Sequence, residues 1–316
     1  FANYYIGFFT CIFILLVFIV YEICRFGGMK KLLVDLSLMA LFSLLAIGMT
    51  AILEIPTLAA LQTTQSSVNQ FPEKFAMNIV ERDLYSGYEQ ALAAYKAAKE
   101  SGTFSHILKY GWETFSIGAK AVLKGMRQVA GNMGGGVVPT FKEGLPNIYC
   151  GVGTVILAFL FLFNREVKLR DKISSVLLLL FFITSFLIRQ LDYIWHGFHF
   201  TNMIPYRFSF LFSFVLLIMA YRAYTLLPTF RPGQIALAGI LAIVLVFFSE
   251  KSSEAVYILF NFLLIGLYLS VFLYRTVQIK PTKKIKKDEL LQKRTEHQTL
   301  CTRALAGVMV VELILN

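Results

Sequence analysis

The densest run of chemically capable side chains lies between Arg189 and Arg207, where Asp192, Tyr193, Trp195, His196, His199, Asn202 and Tyr206 stand between two arginines. A connector that only turned the chain would favour Gly, Ser and Asn. A guanidinium grips two oxygens of a phosphate, while imidazole and amide groups orient hydroxyls. Arg207, His196, His199 and Asn202 are therefore expected to recognise an anion and a hydroxyl, with Asp192 and Arg189 beside them. Arg207 follows Pro205, a helix-starting residue whose first-turn N–H groups would favour the same anion. Tyr193, Trp195 and Tyr206 are expected to form an interfacial aromatic belt, and a simpler reading stays open for Arg207, in which it snorkels to lipid phosphates. His196, His199 and Asp192 would be zinc donors only on a helix, which Gly197 weakens, and no HExxH or third His supports them. No metal or other cofactor is assigned.

Two acids add to this chemistry. Glu54 closes an apolar run just before Pro56, and Glu312 sits inside the last apolar run. A charged side chain at a helix centre in lipid costs about 2.5 to 3.5 kcal/mol, so Glu312 is expected to face protein. Pairing with Arg189 or Arg207, or interfacial solvation, explains both acids as well as catalysis does. Cys11, Cys24, Cys150 and Cys301 show no CxxC spacing, and no disulfide is expected.

The elements that must position these groups are legible in the composition. The chain has 316 residues, 57% hydrophobic and 16% charged, too apolar for a typical soluble domain. Apolar blocks form eight candidate spans: Tyr4 to Cys24, Leu32 to Leu53, Ile148 to Phe163, Ile173 to Ile188, Phe208 to Leu227, Gln234 to Phe248, Ala255 to Tyr274 and Leu300 to Leu315. Basic residues cluster in alternate turns, at Arg25 to Lys31, Arg165 to Lys172, Arg222 to Arg231 and Arg275 to Arg294. Positive charge is retained on the cytoplasmic side, which places both ends of the sequence and the long insert outside.

The fold expected is all-α: a polytopic membrane helix bundle of about eight transmembrane helices with a largely helical extracytoplasmic insert. Residues 1–53 hold two spans, 54–147 the insert, and 148–316 six further spans with an outward loop at 189–207 and a basic cytoplasmic loop at 275–298. The net charge of +11 lies mostly in cytoplasmic turns and calls for membrane lipid, not nucleic acid, as partner.

Within the insert, helical periodicity predicts one helix over Leu84 to Lys99 and another over Phe104 to Val129. The second is amphipathic. It would either lie on the membrane surface with Trp112 at headgroup level, or pack on the spans as a lid. Gly131, Gly134, Gly135 and Gly136 read as a mobile hinge, because no P-loop Lys-Ser/Thr follows.

At Asn3-Tyr4-Tyr5-Ile6-Gly7, at Pro146 to Gly151, and from Trp195-His196-Gly197-Phe198-His199 through Pro205-Tyr206-Arg207 to Phe212, the sequence resembles the YfhO family of bacterial membrane proteins. That family looks like a branch of the GT-C glycosyltransferases. The resemblance implies a multi-pass protein of the bacterial cell membrane that takes sugar from a polyprenyl-phosphate carrier and attaches it to an envelope polymer such as lipoteichoic acid. It also implies further spans before Phe1 and a domain after Asn316, with the catalytic base outside this chain and the chain alone inactive. Arg207 and Arg189 would neutralise the carrier phosphate, while Asn3 and Tyr4 would line the same cavity. A flippase or exporter of an envelope lipid, or a non-catalytic scaffold, would use the same outward loop without bond chemistry.

Overall fold

The computed structural model describes residues 4–62, 71, 82–137, 146–198, 206–277 and 287–316, and every extended element among them is helical. The first two apolar blocks become α1 (Tyr4–Cys24) and α2 (Met29–Gln62). α2 runs past its expected end through Pro56. Proline removes one intrahelical hydrogen bond, a loss that an apolar membrane helix accommodates by local adjustment.

The insert supplies α3 (Arg82–Ser101) and α4 (Phe104–Met133), matching both helices expected from periodicity. Gly102 joins them at φ +67°, a left-handed turn that only glycine makes without strain. α5 (Val152–Phe163), α6 (Leu169–Leu187), α7 (Arg189–Trp195), α8 (Ser209–Thr225), α9 (Pro232–Phe248), α10 (Ala255–Thr276) and α11 (Lys287–Leu315) complete the chain. Among the described residues, four helices are long and apolar enough to cross a membrane: Ile6–Cys24, Met29–Met49, Ala255–Thr276 and Leu291–Leu315. α5, α8 and α9 are apolar but shorter. Each of the eight apolar blocks forms a helix, so the observed elements are compatible with eight spans.

The helices fall into two units. The first holds α1, α2, α6, α7 and the start of α8 as far as Val215. Its core is aromatic: Phe9, Phe182, Phe186, Trp195, Phe208 and Phe212 are fully buried. Arg25, just past α1, pairs with Asp171 in the first turn of α6 at 2.5 Å. Asp171 is well placed there, since a helix N-terminus favours negative charge. Hydrogen bonds that the guanidinium donates to the Tyr21 side chain, then to Asp171, raise the pKa of Arg25 further and hold it charged.

The second unit holds α3, α4, α5, the rest of α8, and α9 to α11. Its helices approach closely at glycines. A Cβ at Gly153 would stand 2.5 Å from the Tyr268 ring, and one at Gly239 would stand 2.5 Å from Leu269. Small residues at such crossings let backbones meet, which is how apolar helices gain packing where lipid offers no hydrophobic drive.

The expected hinge is part of this packing. Gly131 lies within α4, and Gly134 and Gly135 are buried. Asn261 of α10 accepts from the Gly135 N–H at 3.0 Å and donates to its carbonyl at 3.1 Å. The Gly136 N–H donates to the Asn316 side chain at 2.7 Å. The stretch therefore serves close approach: a Cβ at Gly134 would sit 2.3 Å from the Tyr257 hydroxyl.

Candidate functional site

In the first unit the polar run begins where α6 stops. Ile188 leaves helical geometry and caps both α6 and α7, and the Asp192 N–H donates back to its carbonyl at 3.2 Å. One turn later His196 closes α7. Its Nδ1 lies 2.8 Å from the Asp192 carbonyl and 3.1 Å from the Asp192 carboxylate. Neither oxygen can donate, so Nδ1 carries the proton and the ring orientation is fixed.

His196 is wholly buried, with Phe9 and Phe208 edge-on to its ring at 5.7 and 5.8 Å. The couple thus stitches the end of α7 into the aromatic core. Beyond it the chain turns sharply, with Gly197 at φ +72° and Phe198 at φ +62°, before the segment 199–205. His199 and Asn202 fall in that segment and lie outside the described residues, as does Asn3. Tyr4 begins α1 and Glu54 lies in α2, but their side chains are also outside the description.

The chain re-enters at Tyr206, again left-handed at φ +58°, followed by half-buried Arg207. Arg189 opens α7 and is exposed. Two expectations are corrected here. The helix after Pro205 starts only at Ser209, and the Ser209 and Leu211 N–H groups already donate to Tyr206 and Phe208. Among the described residues, these two donors are therefore already engaged and not aimed at an anion beside Arg207. The supposed belt aromatics are core residues instead, with Tyr193, Trp195 and Tyr206 all buried. Trp195 stacks on Phe208 at 4.6 Å and 9°, a face that lipid headgroups do not reach. Burial, with the Asp192 charge adding to it, pushes the Tyr206 hydroxyl above its ordinary range and keeps it neutral.

The second unit holds the other polar constellation. Glu312 of α11 is buried, as its place in an apolar helix requires. Its partners are not arginines. Tyr149 donates to Oε1, the Val152 N–H donates to Oε1 at 2.7 Å, and Tyr268 donates to Oε2. α5 is only 12 residues long, about 18 Å at 1.5 Å per residue, and its first N–H groups have no intrahelical partner. Glu312 satisfies one of those donors where water is scarce. Gly151, at φ +99°, makes the turn that brings Val152 to the carboxylate.

The sequence marked Glu312 as protein-facing but missed Tyr149 and Tyr268. The available signal was an acid in one apolar helix with tyrosines in or beside two others. All donors of this cluster are spent on the carboxylate, which makes it a brace between α5, α10 and α11. Among the described residues no three of His, Cys, Asp or Glu converge as metal ligands.

A family model described as "Bacterial membrane protein YfhO" matches residues 1–88 and 115–316. No curated protein and no solved structure matches the chain. The apolar helices, the Asp192–His196 couple and the Arg207 turn all fall within the matched residues. With most of its length matched, the chain belongs to the YfhO family of bacterial membrane proteins.

Proposed function

We propose that this protein takes part in transferring a sugar from a polyprenyl-phosphate carrier to a cell-envelope polymer, such as lipoteichoic acid, at the extracytoplasmic face. The acceptor hydroxyl oxygen would attack the anomeric carbon while the bond from that carbon to the carrier phosphate breaks. The bonding pair leaves on the phosphate oxygen, and the hydroxyl proton passes to a base not assigned among these residues. Arg207, with Arg189, would neutralise the leaving phosphate, since charge-assisted contacts strengthen as that oxygen gains charge. His199 and Asn202 would orient the sugar or the acceptor hydroxyl, while Glu54, Asn3 and Tyr4 would line the cavity.

The observation that carries this reading is the buried Asp192–His196 couple, which anchors one end of the segment leading to Arg207. A loop that only connected two spans would need no such anchor. Because His196 is wholly buried, its part is positioning, with Asp192 fixing it.

The test is sugar transfer by the full-length protein supplied with a labelled polyprenyl-phosphate sugar. Arg207→Lys keeps the charge but loses the planar fork, and is expected to lower transfer about tenfold or more, the effect of one charge-assisted hydrogen bond. Membrane abundance should stay normal. Full transfer by both Arg207→Lys and Arg207→Ala would return Arg207 to an interfacial anchor. Movement of carrier lipid with no sugar transferred would instead mark an exporter.

A further inference from the structure

α4 carries two apolar faces, and only one is used. Gly111, Gly118, Ala121, Gly125 and Val129 lie on the packed side, where Tyr95 and Tyr88 of α3 approach Gly111 and Gly118. The other side presents Phe104, Leu108, Trp112, Phe115, Ala119, Val122 and Met126, spaced three to four residues apart along most of the helix. Phe104 is 78% exposed, Leu108 66%, Trp112 70% and Phe115 65%. From Phe104 to Met126 the stripe is about 33 Å long at 1.5 Å per residue.

Its surroundings choose the occupant. Helical spacing puts Lys109, Lys120 and Arg127 in a row along one edge of the stripe. Across α4 as a whole, four basic residues face one acid, Glu113. α3 shows the opposite character outward, with Glu89, Gln90, Lys96, Lys99 and Glu100 exposed. The hairpin thus has a polar back and a basic-edged apolar belly. Height is fixed as well: the Arg127 Nε–H donates to the carbonyl of Phe248, the last residue of α9, at 3.1 Å, and Gly131 packs on Lys251 just beyond. The C-terminal part of α4 therefore sits level with the end of an apolar helix.

We propose that the exposed face of α4 lies in the interfacial layer of an anionic phospholipid bilayer, with Trp112 among the headgroups and the basic row meeting their phosphates. Residues 89–114, which include Trp112, fall outside the family match. The proposal stands apart from sugar transfer.

The test reconstitutes the full-length protein in nanodiscs of mixed phosphatidylcholine and phosphatidylglycerol and compares it with Trp112→Phe, so that the difference reports Trp112 alone. Trp112 emission is expected to be blue-shifted and quenched by brominated acyl chains, but not by aqueous iodide. Leu108→Glu with Phe115→Glu should move that emission to the red and abolish bromolipid quenching at unchanged helix content. Lys109→Glu with Lys120→Glu should remove the dependence of quenching on the phosphatidylglycerol fraction. Quenching by iodide in place of bromolipid would overturn the proposal and leave the face in water. Protection from both quenchers would overturn it too, assigning the face to protein, whether a second copy or another segment.

Discussion

Glu312 places three donors on two oxygens, and this arithmetic sets its sensitivity. Alanine would leave two phenols and the Val152 N–H without their acceptor, at a cost of about 3 kcal/mol in all. Glutamine keeps one carbonyl oxygen, and a phenol can rotate to accept from its amide, so the loss should be smaller. Thermal unfolding in detergent, followed by near-ultraviolet dichroism, is expected to show Glu312→Ala well below wild type and Glu312→Gln between them. Equal transition temperatures for all three proteins would show that the cluster braces nothing. At His196 the same reasoning gives a positioning role: its Nδ1–H is held by the Asp192 carbonyl one helix turn back, with the Asp192 carboxylate 3.1 Å away.

Among the elements, the Gly134–Gly136 turn and α10 form the most demanding crossing. A methyl group at Gly134 would meet the Tyr257 hydroxyl and ring at 2.3 to 2.8 Å, and one at Gly135 would meet Phe260 at 2.3 Å. Overpacking of this kind typically costs about 1 to 3 kcal/mol. Gly134→Ala should therefore lower the unfolding temperature, whereas Gly233→Ala, with nothing within 4 Å, should leave it unchanged. If both behave alike, the crossing is looser than described.

These glycines also mark where the sequence stops being informative. Periodicity predicts α3 and α4 nearly to their ends, because a 3.6-residue repeat is a local property. It cannot say what a glycine run packs against. Gly135 meets Asn261 across 126 positions, and Glu312 meets Tyr149 across 163. Trp195 reads as interfacial for the same reason: its type fits a belt, and only the meeting of α1, α6 and Phe208, just before α8, around it makes it core. The polar segment before Arg207 was legible as a concentration of donors, but its buried His196 was not distinguishable from an accessible one.

At the scale of the molecule, the distribution of charge and the pairing of helix ends address one question, the number and direction of spans. In the first unit, Arg25 after α1 meets Asp171 at the start of α6, so the first two basic turns share an end. In the second, Arg275 at the end of α10 stacks on Tyr224 near the end of α8 at 5.0 Å, and His297 of α11 lies 3.1 Å from the Tyr274 carbonyl. The Phe163 carbonyl at the end of α5 accepts from Gln234 at the start of α9, at that same end of its unit. The opposite ends carry Glu312 against Val152 and Arg127 against Phe248. Each unit therefore separates its basic turns from the elements that the eight-span topology puts outside. Helices as short as α8 and α9, about 25 Å, would then span with their flanking turns completing the thickness. The topology predicts that Lys284→Cys, in the basic stretch between α10 and α11, is unreactive to a membrane-impermeant thiol reagent in intact cells and becomes reactive on permeabilisation. Ser101→Cys, exposed at the turn between α3 and α4, should react in intact cells. Labelling of Lys284→Cys in sealed cells, or protection of Ser101→Cys there, would reverse the orientation or change the number of spans, and would move the Arg207 segment away from the face that the proposed sugar transfer requires.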